Sequence, residues 1–76
     1  MNNQRRKSLR NIKTKLNSIL EEVEKILNDE QDCLDNTPEN LQYSEQYQQL
    51  EASVESIEGC IESIESACEF IEDVLS

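Results

Sequence analysis

Residues 54–74 read VESIEGC, IESIESA and CEFIEDV, three seven-residue units that follow one another without a gap. In each unit the first and fourth residues (heptad positions a and d) are apolar, and the second and fifth (b and e) are glutamate. Apolar residues that recur at alternating spacings of three and four lie on one face of an α-helix, and a sustained seven-residue period is typical of a coiled coil. The repeat therefore predicts a long helix with one apolar face. Its members at a and d are Val54, Ile57, Ile61, Ile64, Cys68 and Ile71.

The first half of the chain carries a similar pattern with a wider apolar stripe. Spacings of three and four again connect its apolar residues, and a further row of leucines lies beside them. This pattern predicts a helix from about residue 4 to residue 35. The a and d residues are Leu9, Ile12, Leu16, Ile19, Val23 and Ile26, and the further row is Leu20, Leu27 and Leu34.

A proline separates the two patterns. Pro38 disfavours helical angles at Thr37, and Thr37 is itself a good N-cap, so we expect a turn at 36–38 and a second helix over about 38–75. Ser44 followed by Glu45 is a second, weaker start signal, so we expect a short turn of helix at 38–42 and then a long helix, with or without a kink near Tyr43. The predicted fold is all-α: an antiparallel two-helix hairpin of the coiled-coil type, forming one domain over residues 1–76. We expect residues whose numbers sum to about 76 to lie side by side, which places Lys13 near Glu62 and Glu65.

The composition indicates that one hairpin is not enough. Only 36% of the 76 residues are apolar, and a two-helix hairpin leaves one side of each stripe in water. Assembly of hairpins into a helical-bundle oligomer would cover these stripes. The predicted oligomer interface consists of Leu9, Ile12, Leu16, Ile19, Val54, Ile57, Ile61 and Ile64.

The chain contains little that could support catalysis or bind a metal. It has no histidine and no glycine-rich phosphate loop, and Cys33, Cys60 and Cys68 lack the spacing of zinc ligands. We therefore expect no catalytic residue, no metal and no cofactor. No apolar run is long enough to cross a membrane, and no signal-peptide core follows Met1. An odd number of cysteines without a signal peptide fits a reducing cytoplasm, so we expect a cytoplasmic protein with three free thiols.

The charges are divided unevenly along the chain. Residues 1–15 hold six bases and no acid, whereas residues 16–76 hold all 17 acids and one base. Two interpretations of the basic segment remain open. Its charges either neutralise the acidic second helix or form an anion site where the basic ends of several hairpins meet. The candidate ligands of such a site are Arg5, Arg6, Arg10 and Lys13.

Duplex nucleic acid and anionic membranes are disfavoured as partners, because a body of charge −16 lies directly behind this small basic patch. A small nucleotide in a shielded pocket is penalised less. The acidic face of the second helix likewise has two interpretations. It is either an ordinary solvated surface or a mimic of a nucleic-acid backbone, because its carboxylates recur about 5 Å apart.

The turn shows a resemblance to known proteins. Residues 35–45, DNTPENLQYSE, together with the repeat that follows, resemble short uncharacterised helical-hairpin proteins of Gram-positive phages and mobile elements. The resemblance implies a hairpin fold and a phage-related role in the host cytoplasm, where such small proteins often act in counter-defence. The sequence favours a non-catalytic protein that sequesters an anionic, nucleotide-like ligand at the basic ends of an oligomer. The alternative is an inhibitor or scaffold that binds a host protein through its acidic face or its apolar stripe.

Overall fold

The computed structural model describes residues 1–76 and contains two long α-helices joined by a short connection. Helix α1 spans Asn3–Asp35, a single 3₁₀ turn spans Glu39–Leu41, and helix α2 spans Glu45–Leu75. The start of α1 lies beside the end of α2, since the Arg6 guanidinium donates a hydrogen bond to the Leu75 carbonyl. The predicted all-α fold with two helices packed against each other is thus confirmed. The hairpin is a rod of 59 × 15 × 14 Å.

Both ends of α1 are stabilised by local side chains. The Asn2 side-chain oxygen accepts a hydrogen bond from the Arg5 amide at 2.8 Å, which satisfies one of the free amides of the first turn. At the other end the Thr37 hydroxyl donates to the Cys33 carbonyl at 2.9 Å. The predicted bounds of this helix, about 4–35, agree with the observed bounds to within one residue.

The predicted short turn of helix at 38–42 is present as the 3₁₀ turn Glu39–Leu41, but the predicted start of the continuous second helix near residue 38 is wrong. Helix α2 begins at Glu45, because Ser44 provides its N-cap: the Ser44 hydroxyl accepts a hydrogen bond from the Tyr47 amide at 3.1 Å. Thr37 caps nothing at this point, since its hydroxyl is engaged with α1. The connection therefore extends from residue 36 to residue 44, and its Tyr43 side chain is 91% exposed.

The longer connection shifts the register between the helices. Lys13 forms an ion pair with Glu72, and the Cys68 thiol donates to the Asn17 side-chain oxygen at 3.7 Å. The residue numbers in both pairs sum to 85, so the predicted pairing around a sum of 76 is wrong. Lys13 consequently meets an acid that lies about two helical turns beyond Glu65 and about three beyond Glu62.

The hydrophobic core is a single narrow seam between the helices. Its three buried side chains, Val54, Ile61 and Cys68, are the a residues of the three heptads. On the opposite side α1 contributes half-buried residues from two rows. One row contains Leu9, Leu16 and Val23, and the other contains Leu20, Leu27 and Leu34. No second layer covers the seam, so helix capping matters more here than in a thick globular core.

The Ser44 cap gives a direct test of this account. Ser44→Ala should lower the free energy of unfolding by about 1 kcal/mol, because the Tyr47 amide loses its acceptor. For a chain of this size that corresponds to about 4–8 °C in Tm, which thermal circular dichroism measures. Ser56→Ala is the matched control, since Ser56 is exposed inside α2 and caps nothing. An equal fall in both variants would contradict the assignment of the cap.

Candidate functional site

A row of isoleucines on α1 takes no part in the contact between the helices. Ile12, Ile19 and Ile26 are 45%, 45% and 53% exposed. They recur every seven residues and therefore lie almost in line along the helix. The α1 residues that pack in the seam belong to two other rows, one through Leu9 and one through Leu20. The isoleucine row therefore lies at the edge of the contact between the helices.

A second row on α2 lies on the same side of the rod. Lys13 pairs with Glu72, and Asn17 accepts a hydrogen bond from the buried Cys68, so Lys13, Asn17 and Glu72 lie on one side of the seam. Because both helices are right-handed, the isoleucine row of α1 and the g positions of α2 lie on the other side of the seam, away from the ion pair between Lys13 and Glu72. We call this second side the apolar face. It consists of Ile12, Ile19 and Ile26 from α1 and Cys60, Ala67 and Val74 from α2.

The structure divides the predicted oligomer interface between the seam and the apolar face. Val54 and Ile61 are buried within the hairpin, and Leu9, Leu16, Ile57 and Ile64 are half-buried along the seam. Ile12 and Ile19 are on the apolar face. The sequence interpretation missed Ile26 and Val74, which is 44% exposed, and also Phe70, which is 71% exposed at the outer edge of α2. The seven-residue spacing from Ile12 and Ile19 was the signal that pointed to Ile26.

The four basic candidates do not form one cluster. Arg6, Arg10 and Lys13 lie along one side of the first turns of α1, at spacings of four and three, and face the end of α2. Arg6 donates to the Leu75 carbonyl at 3.3 Å, and Lys13 pairs with Glu72. Two of the three bases in this basic row are therefore engaged by α2. Arg10 is exposed and has no carboxylate within ion-pair distance.

Arg5 belongs to a different surface. It precedes Ile12 by seven residues and so continues the isoleucine row toward the helix start. A shallow groove of about 310 Å³ lies here, and its apolar lining extends the apolar face. The lining residues are Met1, Arg5, Ser8, Leu9 and Ile12.

The remaining polar and thiol groups are dispersed. Glu58, Glu65 and Glu72 are all exposed, in line with their e positions. Cys33 and Cys60 are exposed and Cys68 is buried, all three as free thiols. No three acidic or thiol side chains converge in a way that could hold a metal ion. Neither helix carries an apolar stretch long enough to span a bilayer.

No protein-family model, curated protein or solved structure matches this chain. The apolar face and the basic row are therefore judged by their own chemistry. The apolar face exposes aliphatic side chains with no polar partner. The basic row already shares two of its three charges with α2.

Proposed function

We propose that this protein is a non-catalytic binding protein that contacts a helical protein partner through its apolar face and assembles into a helical bundle. The observation that carries the proposal is the isoleucine row of α1, in which three large aliphatic side chains are each about half exposed. Fully burying such a side chain stabilises a complex by about 1.5–3 kcal/mol, so covering the remaining half contributes about 1 kcal/mol each. A contiguous apolar strip of this kind is typical of a protein interface.

The shape of the apolar face supports a helical partner in particular. Two apolar rows run parallel to each other along a rod 59 Å long, with a shallow groove at one end. A partner helix can place residues at seven-residue spacing between such rows. Small residues at Cys60 and Ala67 let the partner approach α2 closely. A compact small molecule would cover only part of this long surface.

The side chains favour binding over catalysis. The chain has no histidine to act as a general base, and the glutamates of α2 lie exposed on the side away from the apolar face. The resemblance of the DNTPENLQYSE turn to phage helical hairpins supports a phage-encoded protein that acts in the host cytoplasm. Counter-defence by binding, either as an inhibitor or as a scaffold, is the role that we propose for it there.

Ile19→Asp tests the apolar face directly. A charge at the centre of the isoleucine row would be desolvated in any complex, and we expect it to weaken association by about 2–4 kcal/mol, or 30- to 1,000-fold. Sedimentation equilibrium over a micromolar range measures this. Circular dichroism should show an intact helical hairpin, because Ile19 is outside the seam.

The matched control is Ser18→Asp, which adds the same charge one residue away on the outer surface of α1. Association should be unchanged in this variant. A wild-type chain that sediments as a stable folded monomer at micromolar concentration, and binds no partner helix, would contradict the proposal.

A second candidate function is the sequestration of an anionic nucleotide at the basic row. The observation that favours it is the alignment of Arg6, Arg10 and Lys13 on one side of the helix start, where three cations could reach a single phosphate-bearing ligand. In this candidate the ligand would displace Leu75 and Glu72 from Arg6 and Lys13.

A further inference from the structure

We propose that the partner on the apolar face is a second copy of this chain, aligned antiparallel so that Ile19 meets the partner's Ile19 at the centre of the interface. This inference rests on the proposed function, because it names the occupant of the same surface. Three observations support it: the area left exposed, the symmetry of the isoleucine row and the distribution of charge along α1.

The hairpin exposes more surface than a folded monomer of its mass is expected to expose. The hairpin exposes 5,913 Å². A folded monomer of 8.8 kDa is expected to expose about 4,800 Å², so about 1,100 Å² is in excess. The excess arises because the rod is only one layer thick. Stable dimers bury about 800 Å² or more on each partner, so one further hairpin on the apolar face accounts for the excess.

The isoleucine row matches itself under a two-fold rotation. Ile12 and Ile26 lie seven residues to either side of Ile19, or about 10.5 Å along the helix. A two-fold axis through Ile19, perpendicular to the rod and lying in the interface, brings Ile12 onto the partner's Ile26. The same rotation brings Arg5, the next member of the row, onto the partner's Cys33. A two-fold interface requires a patch that is complementary to itself in this way.

Charge selects the antiparallel orientation. In that arrangement α1 lies on the α1 of the other copy. Residues 1–15 carry six bases and no acid, and they lie on residues 23–37 of the other copy, which carry five acids and one base, so +6 lies on −4 at both ends of the interface. The same rotation places α2 on α2, with its glutamates on the side away from the apolar face. Arg5 would lie near the partner's Asp29 and the partner's Asp32.

The parallel orientation is less favourable because it places α1 on the α2 of the other copy. Residues 16–35 would then lie against residues 50–69, which hold six acids and no base. Like charges facing each other suppress the wrong arrangement. Salt screens charges beyond about 8 Å at physiological ionic strength, so these charges set the orientation of the copies while the apolar row sets the affinity.

Spin-label distances between the two copies test the orientation. Cys33 is exposed near the turn and can carry a nitroxide in the variant Cys60→Ser, Cys68→Ala, which leaves Cys33 as the single thiol. Cys33 lies 14 residues from Ile19, so an antiparallel dimer places the two labels about 40 Å apart along the rod. A parallel dimer places both labels at the same end, within about 25 Å. Pulsed dipolar spectroscopy separates these two distances.

A second label position shows whether the distance measured at Cys33 reflects the arrangement of the two copies or only the conformation of that label. The variant Ser8→Cys, Cys33→Ser, Cys60→Ser, Cys68→Ala carries the label at the opposite end of α1, 11 residues from Ile19, and should give about 33 Å. Long distances at both positions, together with a dimer in sedimentation velocity, are the expected result. Short distances in a dimer would overturn the antiparallel arrangement and leave the proposed function intact. A monomer that nevertheless binds a different helical protein would overturn the second copy as the occupant, whereas a monomer that binds none would contradict both proposals.

Discussion

Ile61→Asp should lower the Tm of the hairpin by at least about 12 °C. Ile61 is 9% exposed and occupies the middle of the three buried positions of the seam, so an aspartate there would bury a charge with no partner. Such a charge costs about 3–5 kcal/mol. A chain of 76 residues is expected to have about 4–11 kcal/mol of total stability. The variant should therefore lose between about a quarter and all of its stability, and thermal circular dichroism measures the fall in Tm.

Ser63→Asp is the control for this change. Ser63 is two residues further along α2 and exposed, so the variant adds the same charge and a similar loss of helix propensity without burying it. It should keep its helicity and melt within a few degrees of the unmodified chain. If Ile61→Asp melted in the same range as Ser63→Asp, the seam described here would not be the core of the protein.

The α2 seam could be predicted from the sequence because its heptads are regular. With Val54, Ile61 and Cys68 at a, and glutamate at b and e, only one face of the helix is apolar, and that face became the contact with α1. The start of the helix could not be predicted in the same way. Thr37 and Ser44 are both adequate N-caps, and the choice between them depends on whether the Thr37 hydroxyl is already bonded to the Cys33 carbonyl, a contact formed only once α1 has ended.

The face of α1 was harder to predict because its stripe is three rows wide. Rows through Leu9, Ile12 and Leu20 are all apolar, and a helix can turn only two of them toward one partner. The structure turns the Leu9 and Leu20 rows inward and leaves the Ile12 row outside. Neither the apolar pattern nor helix propensity predicts which two rows of α1 face α2, because the answer depends on the register between the two helices. A nine-residue connection set this register, whereas the sequence indicated a three-residue turn.

The same limit applies to the basic segment. Charge counting placed the first residues of α1 beside the acidic end of α2, but it could not separate Arg5 from the other three candidates. Helical geometry makes that separation: Arg5 points along the apolar face, and Arg6, Arg10 and Lys13 point to the other side. Whether this basic row binds a ligand or only neutralises α2 is a question for the double variant Arg6→Gln, Arg10→Gln.

This double variant should lose nucleotide binding and keep its fold, if the basic row is the anion site. Charge-assisted phosphate contacts are stronger than surface ion pairs, and the loss of two should weaken binding by about 3–6 kcal/mol, or two to four decades in Kd. Isothermal titration against a panel of cyclic and ADP-ribose-type nucleotides measures this. Stability should fall by only about 1 kcal/mol, mainly from the lost bond between Arg6 and the Leu75 carbonyl.

Lys7→Gln with Lys15→Gln is the matched control, because it removes the same charge from the same segment at exposed positions outside the basic row. Long-range electrostatics alone would weaken binding equally in both double variants and more strongly at low salt, whereas a built site responds only to the arginine pair. The arginine variant should not abolish self-association, since Arg6 and Arg10 lie on the side of α1 away from the apolar face. If the arginine variant bound every nucleotide as the unmodified chain does, while Gln replacements at Glu58, Glu62 and Glu65 destroyed partner binding, the acidic face would replace the basic row as the second candidate.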